Sequence, residues 1–312
     1  MDIPGKIREN LTSVMIGSTG VIDLILAALA ADGHVLLEDV PGTGKTVMAK
    51  AFARSLGLQF GRIQFTPDLL PSDVTGLNYF NQEEGRFVFR QGPAFSGLLL
   101  ADEINRATPR TQAALLECMA ERQITVDGET RPLPSPFFVI ATQNPVESLG
   151  CFPLPEAQLD RFLMKIRMES LSFEDECRLI DRFINDEPLL RLQPAADSEA
   201  VLSMQESCRQ VFVHPDLKKY IASLVQATRT VSPSGFRGGV SPRGTLSLLR
   251  ASQGYALIMG RNYLVPEDIH AVAVPVLAHR LLSEDASPQG KVSRIQRLLH
   301  TVPVPTEDWK KP

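Results

Sequence analysis

The chain has 312 residues, 44% hydrophobic and 22% charged, with a formal net charge of −4. That length exceeds one small core and sets an expectation of about two domains. The balance is that of a globular protein, offers no general affinity for nucleic acid, and contains no run near the roughly 18 apolar residues of a membrane span.

Met1–Lys6 shows no charged-then-apolar leader. Cys118, Cys151, Cys177 and Cys208 are scattered without metal-ligand spacing, and the five histidines form no H-x-x-x-H pair. The expectation is reduced thiols in a cytoplasmic protein, with no protein zinc site.

Between Val21 and Ala31, residues Ile22, Ile25, Leu26 and Leu29 recur at helical spacing beside Asp23, predicting a buried amphipathic helix. His34–Leu37 reads as a short strand and Val47–Ala53 as a helix. The link between them, Glu38-Asp39-Val40-Pro41-Gly42-Thr43-Gly44-Lys45-Thr46, has the composition of a phosphate-binding loop in its required strand–loop–helix setting. Gly42 and Gly44 let successive N–H groups turn toward phosphate oxygens, and the helix N-terminus adds partial positive charge. Lys45 is placed to neutralise β- and γ-phosphate charge, and Thr46 to offer its hydroxyl to Mg²⁺. Asp39 stands where the usual pattern has its first glycine. Pro41, Thr43 and Val47 complete the expected nucleotide-binding set.

Further strands are expected at Arg62–Phe65, Leu98–Ala101, Phe137–Thr142 and Phe162–Ile166, in alternation with helical patterns, as in a parallel sheet wrapped by helices. Two hairpins interrupt the rhythm, one over Asn78–Phe89 and one over Gln123–Thr130, the second with an Asp-Gly turn. The strand Leu98–Ala101 ends in Asp102 and Glu103, at the sheet edge where ligands bind. Asp102 is the expected Mg²⁺ carboxylate and Glu103 the expected general base. Asn144, after the next buried strand, is placed to orient γ-phosphate and water. Arg161 and Arg243 could each be a catalytic arginine or a surface ion pair.

From Ser170 the pattern turns helical, with helices expected at Phe173–Asn185, Glu199–Val211, Pro215–Thr230, Pro242–Met259 and Pro266–Leu281. Val231–Val240 reads as a loop and Thr306–Pro312 as a frayed end. The boundary falls near Met168–Ser170, giving an α/β core over 1–168 and a helical domain over 169–312.

These motifs together resemble the AAA+ ATPases of the MoxR branch. The resemblance is carried by Arg62–Gly76, Leu99–Ala107, Phe152–Phe162 and Ser241–Arg243, and it spans nearly the whole chain from Val14 onward. Asp39 fits, because that branch often lacks the first glycine. The resemblance implies a P-loop NTPase fold, a five-stranded parallel sheet with helices on both faces followed by a smaller all-helical lid. It implies ATP and Mg²⁺ as cofactors, Asn144 as sensor 1, Arg161 as an arginine finger acting on a neighbouring subunit, and Arg243 as sensor 2. Ile16 and Gly17 would lie against the adenine. It further implies a ring, usually a hexamer, that remodels, assembles or activates partner proteins, including proteins with a von Willebrand factor A domain. A nucleic-acid motor, a magnesium-chelatase-like metal-insertion subunit and a nucleotide-gated binding module are the alternatives. The few basic residues in the hairpins weigh against the nucleic-acid motor.

Overall fold

The computed structural model describes residues 3–38, 44–144, 151–168, 171–184, 187–229, 238–282, 287–306 and 309–310. Helices α1 (Ile3–Val14) and α2 (Thr19–Ala30) lead into β1 (Val35–Glu38), and α3 (Lys45–Ser55) into β2 (Phe60–Gln64). A short α4 (Pro71–Thr75) precedes the hairpin β3 (Gly76–Asn81) and β4 (Arg86–Gln91). Then follow β5 (Leu98–Asp102), α5 (Pro109–Glu121), the hairpin β6 (Gln123–Val126) and β7 (Glu129–Pro132), β8 (Phe138–Gln143), α6 (Glu156–Leu159) and β9 (Met164–Arg167). The remainder is helical: α7 (Phe173–Phe183), α8 (Pro188–Arg191), α9 (Ser198–Arg209), α10 (Pro215–Thr228), α11 (Pro242–Ile258), α12 (Pro266–Leu277) and α13 (Pro288–Thr301).

The five expected strands form one sheet in the order β2-β5-β8-β1-β9, every neighbouring pair parallel. The central strands β5 and β8 are continuous apolar runs because helices cover both faces. Proline opens α5, α10, α11, α12 and α13, where its missing N–H has no intrahelical partner to lose. Ser172, Asp197, Ser241 and Ser287 accept a backbone N–H from the first turns of α7, α9, α11 and α13.

Both hairpins form where the turn residues place them, and Asp127 and Gly128 both take φ above zero, at 52° and 83°. Their strands run two residues further than expected, taking in Arg90 and Arg131. Arg131 stacks over the Phe89 ring at 4.2 Å and Asn78 bonds Asp127 at 2.7 Å, so the hairpins brace each other.

Two expectations are corrected. Helix α2 is not amphipathic: Ile22, Asp23 and the whole run from Ile25 to Ala30 are buried, because α11 of the helical region lies across its second face. Asp23 is tolerated there by an ion pair to Arg8 at 2.7 Å; burial pushes its carboxyl up, opposed by Arg8. The end of the chain is not wholly frayed either, since Trp309 packs on the core and meets the His214 ring edge-on at 5.7 Å. Burial of an indole outweighs the polarity of its neighbours. The apolar interior falls into two clusters, and the larger runs from α1, α2 and α3 into α9–α12.

Candidate active site

The carboxyl edge of the sheet assembles the site. Parallel register sets Ala101 beside Ala141, Leu37 beside Thr142, and Gln64 beside Asp102, so the ends of β2, β5, β8 and β1 arrive level. Asp102 Oδ1 accepts the Thr142 hydroxyl at 2.7 Å, and Oδ2 accepts Arg62 at 2.9 Å. The Thr142 oxygen in turn accepts the backbone N–H of Glu103 at 2.8 Å.

Glu103 turns the chain out of β5 with left-handed backbone, φ 58° and ψ 48°, a region that non-glycine residues enter uncommonly. Its Oε2 accepts Gln64 at 2.8 Å and Arg106 at 3.1 Å. The carboxylate is thus held at a fixed place over the strand ends. Asn144 is buried, and its carbonyl accepts the Asn105 side chain at 3.2 Å.

Lys45 and Thr46 open α3, half-buried, directly after Gly44, whose φ of 82° is the left-handed conformation a phosphate loop uses. Val47 follows in the same turn. Pro41, Gly42 and Thr43 lie outside the described residues. Among the described residues, a cavity of about 1190 Å³ opens between the sheet edge and the helical region, lined by Gly17, Asn105, Asn144, Leu171, Asp175 and Val274 among others. Ile16 is buried beside it. A Cβ on Gly17 would come within 2.9 Å of Asp175 and Leu171, so the α1–α2 link closes tightly on α7.

The donors around Thr46 and Asp102 are a hydroxyl and a carboxylate, the oxygen chemistry that magnesium takes. Strands β1 and β5 have one strand between them, so their ends lie roughly 10 Å apart. The residues present fit a hydrated magnesium–nucleotide complex in which Thr46 and Asp102 would hold the metal.

Arg161 and Arg243 form a separate group. Arg161 is exposed and donates to the Leu116 carbonyl of α5 at 2.7 Å. Arg243, at the start of α11, pairs with Asp160 at 3.7 Å. Sequence reasoning missed Arg62, Gln64, Thr142 and Asp160 as site residues. Each stood inside a motif already singled out, but only strand register shows which side chain each one meets.

A parallel sheet, a helix N-terminus bearing lysine and threonine, a strand ending in paired acids and an overlying helical lid define a P-loop nucleotide-binding architecture. Residues 34–164 match the ATPase family associated with various cellular activities (AAA), and residues 228–298 match the AAA lid domain. The Bacillus subtilis protein YeaC is 49% identical over 94% of this chain and 90% of its own length. The Mycobacterium tuberculosis chaperone MoxR1 is 41% identical over 94% of this chain and 80% of its own. A crystal structure from Cytophaga hutchinsonii, described as a candidate ATPase, superposes with a TM-score of 0.88 at 38% identity, covering 97% of this chain and 96% of that one. The chain belongs to the MoxR-type AAA+ ATPases.

Proposed function

We propose that the protein binds ATP with Mg²⁺, hydrolyses it, and uses the cycle to remodel, assemble or activate partner proteins. The observation that carries this reading is Glu103, held by Gln64 and Arg106 on a left-handed turn while its own N–H and the carboxylate of Asp102 share the Thr142 hydroxyl. A carboxylate so fixed can take a proton from an attacking water. Lys45 would hold the β- and γ-phosphates, Thr46 and Asp102 the metal, and Asn144 the water and γ-phosphate. When bound, magnesium supplies charge neutralisation at the phosphates.

Arg161, exposed and clear of the lid cavity, would act on the nucleotide of a neighbouring subunit, which calls for a ring, a hexamer by family habit. The nucleotide core would span 1–168 and the lid 169–312, in a cytoplasmic protein. The proteins acted on would include partners with a von Willebrand factor A domain, as the family resemblance suggests. No described helix is long and apolar enough to cross a membrane.

The test is Mg²⁺-dependent ATPase activity of the purified protein. Lys45→Ala is expected to lose nucleotide binding. Glu103→Gln is expected to keep binding while turnover falls about 10²–10⁴-fold, and to retain a partner in ATP-dependent affinity capture. Turnover that survives both substitutions would sink the assignment.

A further inference from the structure

Glu103 keeps a left-handed backbone, φ 58°, which a side-chain-bearing residue holds only where its surroundings fix it from several directions. Part of that fixing comes from the residues just after it. Ile104–Arg106 forms one 3-10 turn, closed by the Arg106 N–H on the Glu103 carbonyl at 2.9 Å. Two buried amide side chains grip this turn, Asn105 from within it and Gln112 from α5. Asn105 Nδ2 donates to the Asn144 carbonyl at 3.2 Å, and the Asn105 carbonyl accepts the Phe152 N–H at 2.7 Å. The Gln112 amide nitrogen lies 3.1 Å from the carbonyls of both Ile104 and Ala107, and 2.9 Å from that of Phe152.

The turn behind Glu103 is thereby tied to Asn144, beyond β8, and to Phe152, ahead of α6. Away from water an amide is costly to leave unpaired, so these contacts hold the turn in one place. We propose that Asn105 and Gln112 are positioning residues for hydrolysis: they clamp the turn against Asn144 and Phe152 and so set where the Glu103 carboxylate stands. Gln64 and Arg106 hold the carboxylate itself, whereas the clamp holds the backbone from which both Glu103 and Arg106 project. The proposal rests on the reading of Glu103 as general base. Because the clamp acts through Glu103, its loss should reach turnover and spare nucleotide binding.

Asn105→Asp keeps the shape, removes the donor and sets a carboxylate against the Asn144 carbonyl. In this variant kcat should fall roughly tenfold to a hundredfold. ATP affinity in a fluorescent-nucleotide titration should stay within about twofold of wild type, since only an interaction made in the transition state is lost. Asn105→Ala should show the same split. Gln112→Met, which keeps the volume without the donors, tests the other arm of the clamp should an Asn105 variant not fold by circular dichroism. In a Glu103→Gln background, Asn105→Ala should lower the remaining rate by less than about twofold, because residues that act as a unit are not additive. Wild-type kcat in Asn105→Asp, affinity that falls in step with kcat in the folded variants, or a full further loss on top of Glu103→Gln would overturn the proposal. Wild-type turnover in Glu103→Gln alone would remove the general-base reading and the clamp's role with it, and is a distinguishable result.

Discussion

The Thr142 hydroxyl joins the two acids of the site, donating to Asp102 Oδ1 at 2.7 Å and accepting the N–H of Glu103 at 2.8 Å. Thr142 is fully buried, so no solvent can replace it. Thr142→Val keeps the shape and removes both bonds. An unsatisfied buried donor costs about 1–3 kcal/mol, and that loss is expected in the urea unfolding free energy. An unfolding midpoint equal to wild type would show that the N–H finds another acceptor.

Arg62 lies 2.9 Å from Asp102, the carboxylate proposed to hold the metal. A resident positive charge opposes a second one at the same oxygen. Arg62→Ala should therefore lower the magnesium concentration needed for half-maximal nucleotide binding, by roughly twofold to fivefold for a part-exposed pair. A rise in that concentration would instead assign Arg62 to the phosphates.

Gly254 lies within α11 at the seat of the lid on α2. A Cβ there would fall 2.3 Å from the Ala27 carbonyl oxygen. Alanine is the better helix former by about 1 kcal/mol, yet forcing α11 off α2 should cost about 1–3 kcal/mol. Gly254→Ala is expected to lower the thermal midpoint. A stabilised variant would mean that the two helices part easily.

His34 is neutral by construction. Its Nδ1 accepts the Val139 N–H at 3.1 Å, and Nε2 lies 3.2 Å from the Met119 carbonyl, so one tautomer satisfies both. Burial, then Arg122, lower its pKa from 6.5 to about 3, and burial lowers His279 in the same direction. Above pH 6.5 both rings are neutral folded or unfolded, and nothing is lost. As pH falls from 6.5 toward 3 the unfolded chain takes up protons that the folded rings refuse. Stability should then drop by up to about 1.4 kcal/mol per pH unit per ring. Asp23, raised by burial, opposes this at the acid end. Urea titrations at pH 7 and 5 measure the slope, and His34→Gln should flatten it; an unchanged slope would assign the dependence elsewhere.

The strands β1, β5 and β8 were legible as short apolar runs, β2 and β9 by apolar residues alternating with polar ones, and the Asp-Gly hairpin because its turn demands those residues. The positions of Lys45 and Thr46 at the start of α3, and of Asp102 and Glu103 at the end of β5, were legible from the glycine-rich link and the apolar run that precede them. What stayed hidden depends on contacts distant in sequence. Nothing in Thr19–Ala30 announces that α11 will cover a second side, so the helix reads as amphipathic and proves buried at Ile22, Asp23 and throughout Ile25–Ala30. The partners of Asp160 lie 83 and 120 positions further on, at Arg243 and Arg280. Helices α1 and α13 went unread because their apolar residues have meaning only against neighbours that the tertiary fold supplies.

The apolar cluster that runs from α2 through α11 also bears on how the molecule melts. Sheet and lid are distinct in topology, but neither closes its own interior: the helical region finishes the packing of α2, and α2 supplies a wall for α11. Cooperativity follows shared interior, not chain order. A single calorimetric transition is expected for the whole chain, and a fragment ending at Met168 should aggregate unless the rest is supplied; two separated transitions would refute that. In this protein the lid is a structural half of the core it covers.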